Sequence, residues 1–167
     1  WCPDPRFVLF PDELKISKSM RPLLNGQRMR FSINNAFREV MICCQQAGRP
    51  GQIGTWINEE IIKSYTDLHL LEYAHSAECW MNDQLVGGLY GLRLGNIFFG
   101  ESMFSEVSNA SKFAFIKMVQ QLKSDGVQLI DCQVYTGHLE SLGARMIPRN
   151  EFLEILDANV GDYGIIR

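Results

Sequence analysis

Two short apolar segments carry polar side chains of the types that take part in acid–base and acyl-transfer chemistry. Residues 96–105 contain Glu101 among aromatic residues and a methionine, and residues 129–134 contain Asp131 and Gln133. A carboxylate or an amide inside an apolar strand loses its hydration, so a partner or a function has to offset that cost. The two segments are therefore the strongest candidates for a functional site.

Strand periodicity predicts which of these polar groups can meet, because side chains alternate between the two faces of a strand. Asp131 and Gln133 are predicted to share one face, roughly 7 Å apart along the strand. Glu101 is predicted to share a face with Phe99 and Met103. If the two strands are neighbours, the three polar groups surround one cleft with apolar walls, which suits a ligand with an apolar side chain and a positive amine. A structural alternative stays open, in which the aspartate forms a salt bridge and the glutamine satisfies backbone groups.

Composition and charge limit the classes of protein to which this chain can belong. With 167 residues, 46% hydrophobic and 21% charged, it is expected to bury a core and to form one compact domain. No apolar run approaches the ~20 residues that span a bilayer, and no signal-peptide pattern is present. The five cysteines are odd in number and contain no CxxC, so neither a disulfide framework nor a metal site is predicted. We expect a cytoplasmic, non-membrane protein in a reducing compartment.

The predicted elements give an α+β layout with helices packed on a mixed sheet. A strand over residues 28–33 leads into a helix over 34–47 that Gly48–Gly51 ends, and Asn58 is predicted to cap a second helix. Three antiparallel strands over 74–81, 84–94 and 97–104 follow, then a long helix that begins at Asn109. A buried strand over 127–134, a short helix over 139–142, a segment over 145–148 and a helix over 151–158 complete the chain.

Short motifs in one collinear order resemble the leucyl/phenylalanyl-tRNA–protein transferase family. They extend from Trp1 to the region of Leu153, and many unrelated motifs in one order make the match specific. The motifs are residues 1–6 (WCPDPR), 54–57 (GTWI), 74–80 (AHSAECW), 85–91 (LVGGLYG), 98–105 (FFGESMFS), 110–112 (ASK), 129–133 (LIDCQ), 141–144 (SLGA) and 147–149 (IPR).

This resemblance implies an enzyme that transfers leucine or phenylalanine from its tRNA to the α-amino group of proteins with an N-terminal Arg or Lys. The product would be a destabilising N-terminus in the bacterial N-degron (N-end rule) pathway of protein degradation. Aminoacyl-tRNA is a co-substrate, so no cofactor is expected, and no DNA partner is implied. The implied fold is like that of the GCN5-related acetyltransferases, a mixed, mostly antiparallel sheet flanked by helices. We predict a basic connecting segment over residues 1–28 and an acetyltransferase-like catalytic domain over 29–167.

The resemblance also implies roles for individual residues. Asp131 and Gln133 match the positions that the family uses in catalysis, and Glu101 matches a further site position. Trp56 matches a tryptophan that stacks on the terminal adenine of the tRNA, a contact that needs no readout of base sequence. The family carries an upstream segment with a second tryptophan of this clamp, and this sequence is expected to begin after it. Five residues match the pocket for the aminoacyl side chain: Leu89, Phe98, Met103, Met118 and Ile130.

Two other functions remain as alternatives. A coenzyme A dependent N-acetyltransferase would share the fold, but it needs a glycine-rich loop at a helix start to hold pyrophosphate. The closest string, residues 84–89, lies in a predicted strand, and residues 104–108 before the long helix contain an acid and no glycine. A non-catalytic reader of basic N-termini would use acidic side chains, but it would have no need of Gln133 or of an apolar pocket.

Overall fold

The structure, a computed structural model, describes residues 2–47 and 55–160. Trp1, residues 48–51 that were predicted to end a helix, and Gly54 of one motif lie outside the described residues. The strands are β1 Arg6–Leu9, β2 Arg30–Ile33, β3 Ala74–Met81, β4 Gln84–Leu94, β5 Ile97–Ser105, β6 Leu129–Gln133 and β7 Arg145–Ile147. The helices are α1 Arg21–Asn25, α2 Phe37–Gln46, α3 Glu59–Leu70, α4 Ala110–Ser124, α5 Gly137–Glu140 and α6 Arg149–Val160, with a 3-10 helix at Pro11–Glu13.

The strands form one mixed sheet, in the order β2-β3-β4-β5-β6-β1-β7. The β2–β3, β3–β4, β1–β6 and β1–β7 pairs are antiparallel, whereas β5 and β6 run parallel. Helix α4 joins β5 to β6, as a parallel connection requires. The predicted α+β class with a mostly antiparallel sheet is therefore confirmed.

The described part of the chain divides into two compact units. Unit 1 is drawn from Trp1–Ile16, Arg93–Gly100 and Val119–Arg167, and unit 2 from Ser17–Leu92 and Glu101–Met118. The predicted division at residue 28 stays a prediction, although β1, within that first segment, pairs with β6 and β7. Within residues 2–47 and 55–160, no helix combines the length and the apolar character that crossing a bilayer requires.

Unit 1 has an apolar core that includes residues of β6, the strand that carries Asp131. Val8, Ile97 and Leu129, from three strands, pack with Ile147 and with Phe152 of α6. In the register of the sheet, Asp131 lies opposite Phe99 of β5 and Val8 of β1. Strand β6 therefore has a neighbour on each side, and its side chains are held by apolar contacts from β1, β5 and α6.

Unit 2 has a second core, formed by α2, α3 and the strands β3 to β5. Phe37 of α2 stacks on His69 of α3, with ring centroids 4.3 Å apart, and it packs edge-on against the buried Tyr90. The Asn58 side chain accepts a hydrogen bond from the Ile61 N–H, so the predicted N-cap of α3 is confirmed. This cap fixes the start of the helix that carries Tyr65.

Several element boundaries differ from the predicted ones for local reasons. Helix α2 begins at Phe37, because Asn34 has a φ of 60° and its side chain accepts a hydrogen bond from the Ser76 N–H of β3. Helix α6 begins earlier than predicted, and Asp4 accepts a hydrogen bond from its first N–H, that of Arg149. Strand β1 was not predicted, because its four residues are too few for an alternation pattern.

Two glycines of unit 1 provide a test of how closely its loops pack. We expect Gly143→Ala to lower the free energy of unfolding by about 1–3 kcal/mol more than Gly126→Ala does. Both glycines have positive φ, which costs alanine about 1–2 kcal/mol in either place. A Cβ on Gly143 would lie 2.3 Å from the Glu13 carbonyl oxygen, but one on Gly126 would meet no described atom within 4 Å. Urea unfolding of the two variants measures the difference, and equal losses would contradict this steric argument.

Candidate active site

The carboxylate of Asp131 lies inside unit 1 with no solvent exposure and is held by an arginine from β1. The Arg6 Nε donates to Asp131 Oδ1 at 2.8 Å, and Arg6 Nη2 donates to Oδ2 at 2.6 Å. This two-point arrangement matches the planar guanidinium to the planar carboxylate. The side chain of Arg6 is 12% exposed and that of Asp131 is fully buried, so the aspartate is not available to attract a cationic substrate.

Gln133, at the end of β6, has an unusual backbone conformation that Asp131 stabilises. Its φ is 66°, in the left-handed region that residues other than glycine rarely adopt. The Val134 N–H donates to the Cys132 carbonyl at 2.8 Å, which closes a tight γ-turn around Gln133. The Gln133 N–H donates to Asp131 Oδ1 at 3.0 Å. A buried carboxylate two residues earlier thus holds a strained turn in place.

The side-chain amide of Gln133 reaches across to the neighbouring strand β5. Its Nε2 donates to the Gly100 carbonyl oxygen at 2.9 Å. Because a carbonyl only accepts, the NH₂ end must face Gly100, which fixes the orientation of the amide. The opposite atom, Oε1, receives no hydrogen bond from the described residues. Its position is set by the two hydrogen bonds that Gln133 donates, from its backbone N–H to Asp131 and from Nε2 to Gly100.

The turn at Gln133 departs from the regular strand that the sequence predicts. Alternation predicts that Asp131 and Gln133 project to one face at a spacing of roughly 7 Å. The positive φ ends the regular strand at Gln133, so its side chain follows the turn and not the pleat. The register of the β1–β6 pair also shifts between Phe7 and Val8, opposite this end of β6, so the pairing is irregular where the turn begins.

Glu101 lies in unit 2, where it interacts with Tyr65 of α3. Burial, the charge of Glu101 and a hydrogen bond to its carboxylate together raise the pKa of Tyr65 to about 12. The phenol is therefore protonated at neutral pH and donates to the carboxylate. This contact orients a partly buried carboxylate.

Tyr65 is also the centre of a row of aromatic rings in unit 2. Its ring packs edge-on against Tyr90, with centroids 5.5 Å apart, and against Trp56, with centroids 6.4 Å apart. Trp56 is 42% exposed, so part of its indole surface is accessible while Tyr65 supports another part. An exposed and supported aromatic plane is suited to stacking on a nucleotide base.

The five residues predicted to line an aminoacyl pocket are all apolar and mostly buried. Phe98 and Ile130 are register partners on β5 and β6 in unit 1. Leu89, Met103 and Met118 belong to unit 2, and of the five only Met103 is partly exposed. Burial is expected of a core residue as well as of a pocket residue, so their role in side-chain binding stays a prediction.

Other chemically reactive side chains are accounted for by structural contacts. Burial and the charge of Asp131 raise the pKa of the Cys132 thiol to about 12, which leaves it un-ionised and unreactive at neutral pH. The Ser76 hydroxyl donates to the buried carboxylate of Glu78 and is not paired with the adjacent His75. In the described parts of the chain, no three His, Cys, Asp or Glu side chains converge as metal ligands would.

Two residues of the candidate site were not singled out for it by sequence reasoning. The sequence of residues 1–6 suggests that Arg6 organises the loop near the N-terminus through a salt bridge, but nothing in the sequence identifies a partner 125 positions away. Tyr65 follows the predicted Asn58 cap at a spacing that suggests only a place on the apolar face of that helix. The motif residues 1–6 contained the signal for Arg6, because an arginine between prolines and a short apolar strand suggests a fixed charge partner.

Comparison with known proteins identifies the family. The family model for leucyl/phenylalanyl-tRNA protein transferase matches residues 8–157. A leucyl/phenylalanyl-tRNA–protein transferase from Flavobacterium johnsoniae is 56% identical over 156 residues, which cover 93% of this chain and 74% of that protein.

Solved structures are similar in fold at low sequence identity. A conserved protein of unknown function from Staphylococcus epidermidis superimposes with a TM-score of 0.56 at 10% identity, covering 86% of this chain and 57% of that one. A GCN5-related N-acetyltransferase from Kribbella flavida gives a TM-score of 0.49 at 9% identity, with 86% and 55% covered. These similarities concern the fold alone.

The family model covers most of the chain, and the relative exceeds half identity over nearly all of it. The chain therefore belongs to the leucyl/phenylalanyl-tRNA protein transferase family and is an aminoacyltransferase.

Proposed function

We propose that this chain transfers leucine or phenylalanine from its tRNA to the α-amino group of proteins that begin with Arg or Lys. The product is a protein with a destabilising N-terminus that enters the N-degron pathway in the cytoplasm. Aminoacyl-tRNA supplies an activated ester, so the proposal includes no cofactor. Family membership supports the reaction class, and the arrangement around Gln133 supports the chemistry.

The observation that carries the proposal is the fixed acceptor atom of Gln133. An attacking α-amine must be neutral and must aim its lone pair at the ester carbonyl. An amide oxygen is too weakly basic to remove a proton at neutral pH, but it can accept a hydrogen bond from the amine. Gln133 Oε1 is suited to this because its other end is tied to the Gly100 carbonyl. We assign Gln133 to positioning the amine.

The proposed transfer balances without a further reactant. The amine nitrogen forms a bond to the ester carbonyl carbon, and the ester bond to the terminal ribose oxygen breaks. One proton leaves the nitrogen, and the departing ribose oxygen takes up a proton. Asp131, acting through the backbone of Gln133, keeps the acceptor in place while positive charge develops on the amine.

The donor aminoacyl-tRNA is recognised by its terminal base and by its apolar side chain in this proposal. Trp56 stacks on the adenine, and its accessible indole surface and edge-on support from Tyr65 favour that role. Leu89, Phe98, Met103, Met118 and Ile130 accommodate the leucine or phenylalanine side chain. Methionine can adapt its shape, which suits a pocket with two different guests.

The acceptor protein is recognised by its positive charge. Asp131 already has a cationic partner in Arg6, which leaves Glu101 as the acidic residue of the predicted set for a basic N-terminal side chain. The Glu101 carboxylate accepts a hydrogen bond from the neutral phenol of Tyr65, which orients it. A charged acceptor of this kind favours Arg and Lys over uncharged residues.

The coenzyme A alternative is disfavoured by the start of α4. A pyrophosphate would need unoccupied backbone N–H groups there. The Ala110 N–H donates to the Val107 carbonyl and the Ser111 N–H donates to the Ser105 hydroxyl, each at 3.1 Å. The glutamate at position 106 in the same loop would also repel a phosphate.

A transfer assay tests the proposed function directly. Incubated with radiolabelled Leu-tRNA, the chain is expected to label peptides that begin with Arg or Lys, but not an N-acetylated Arg peptide, which has no free amine. Incubation of the same peptides with labelled acetyl-CoA is expected to give no product. Acetyl transfer, or peptide binding without leucine transfer, would overturn the proposal in favour of one of the two alternatives.

Removal of the Gln133 side chain tests its positioning role. Gln133→Ala is expected to lower kcat by about 100-fold with little change in KM for Leu-tRNA, because misplacement of the amine affects only the chemical step. Gln128→Ala is the matched control, since that exposed amide also donates to a glycine carbonyl, that of Gly126 at 3.0 Å. Steady-state rates measure both variants. A Gln133→Ala enzyme with unchanged kcat would remove Gln133 from the mechanism.

Neutralisation of Glu101 tests acceptor recognition. Glu101→Gln is expected to lower kcat/KM for an Arg peptide by about 10- to 100-fold, the value of a hydrogen bond to a charged group, and Glu106→Gln is the charge-matched control. Tyr65→Phe is expected to have a smaller effect, equal at about pH 7 and pH 9, because the phenol ionises only near its raised pKa of about 12. Equal losses for Glu101→Gln with Arg-initiated and Leu-initiated peptides would contradict charge recognition.

A further inference from the structure

We propose that Arg6 is a positioning residue that holds Gln133 in its strained turn through Asp131. The effect of Arg6 on aminoacyl transfer rests on the proposed function, but its effect on the conformation of Gln133 does not. The chain of contacts runs from the Arg6 guanidinium to the Asp131 carboxylate and on to the Gln133 N–H. Asp131 is then an anchor between two partners and not a proton acceptor in the reaction.

Both oxygens of the Asp131 carboxylate are engaged in hydrogen bonds. Oδ1 accepts from Arg6 Nε and from the Gln133 N–H, and Oδ2 accepts from Arg6 Nη2. The group has no exposed surface. A reacting amine would have to displace one of these donors to reach an oxygen of this carboxylate. The carboxylate therefore acts on the reaction through the groups that it already holds.

The backbone of Gln133 is strained, with a φ of 66°. A left-handed φ at a non-glycine residue persists only where its surroundings fix it. Here the γ-turn contributes one hydrogen bond and the Asp131 carboxylate contributes another. The carboxylate can hold the turn only if its own orientation is fixed. The two-point contact with Arg6 fixes it, because a fork of two donors permits one plane and one direction.

The contacts of Arg6 require an arginine at this position. Arg6 begins β1, its side chain is mostly buried, and its guanidinium carbon lies 5.3 Å from the centroid of the Phe152 ring. A lysine there would supply the charge without the planar pair of donors. A buried ion pair is weak evidence of a contribution to stability. Its geometry at this place points instead to control of the turn that follows.

Amide hydrogen exchange at Gln133 tests the conformational effect without reference to activity. In the Arg6→Lys variant, the Gln133 N–H is expected to exchange at least about tenfold faster than in the unmodified chain, because its acceptor is no longer oriented. Arg145→Lys is the control, since Arg145 makes a similar two-point contact with Glu13, at 2.8 and 3.2 Å, within the same unit. Unchanged exchange at Gln133 in Arg6→Lys would overturn the proposal.

A double-mutant cycle tests whether Arg6 acts through Gln133 in transfer. Arg6→Lys alone is expected to lower kcat by about 10- to 100-fold with KM for Leu-tRNA nearly unchanged. In the Gln133→Ala background, the same substitution is expected to cause no further loss, because the group that it positions is absent. Losses that multiply would show a general structural role and overturn the proposal. If the unmodified chain transfers no leucine, the proposed function fails, and the exchange measurement still decides whether Arg6 positions Gln133.

Discussion

The ion pair between Arg6 and Asp131 is the interaction on which the geometry of unit 1 depends. A fully buried carboxylate is tolerated only when its charge and its lone pairs are compensated. Arg6 supplies the charge and two donors, and the backbone of Gln133 supplies a third donor. Strand β6 consequently ends in a turn at Gln133 that a hydrogen bond to the buried Asp131 carboxylate stabilises. The same hydrogen bond helps to set the direction of the Gln133 side chain.

In unit 2, the carboxylate of Glu101 is also oriented by a hydrogen bond, but its partner has a different chemistry from that of Asp131. Glu101 is held by a phenol from α3, whereas Asp131 is held by a guanidinium from β1. Both partners orient the carboxylate that they contact, and the guanidinium of Arg6 in addition compensates the charge of Asp131. The two carboxylates are thus held by different chemistry, one by a phenol and the other by a planar pair of cationic donors.

The sequence was sufficient for the elements with strong periodicity and clear ends. The three strands from Ala74 to Ser105, and the Asn58 cap of α3, follow from alternation and capping chemistry. Strand β1 and the partner of Asp131 could not be predicted, because a four-residue strand has too little pattern and no local rule pairs residues 125 positions apart. The orientation of Gln133 was missed for a related reason. Its positive φ depends on that distant pairing, and alternation assumes a regular strand.

The position of β1 in the sheet has a consequence for how the protein acquires its candidate site. This strand, from the first residues of the chain, lies between β6 and β7, which come from the last third. During synthesis, Arg6 leaves the ribosome long before its acceptor does, and loops of this length close slowly. A nascent chain can therefore assemble helices and the β3–β4 hairpin early, while the turn at Gln133 forms only after β6 has emerged. Completion of the sheet and formation of the turn at Gln133 are therefore expected in the same late folding event.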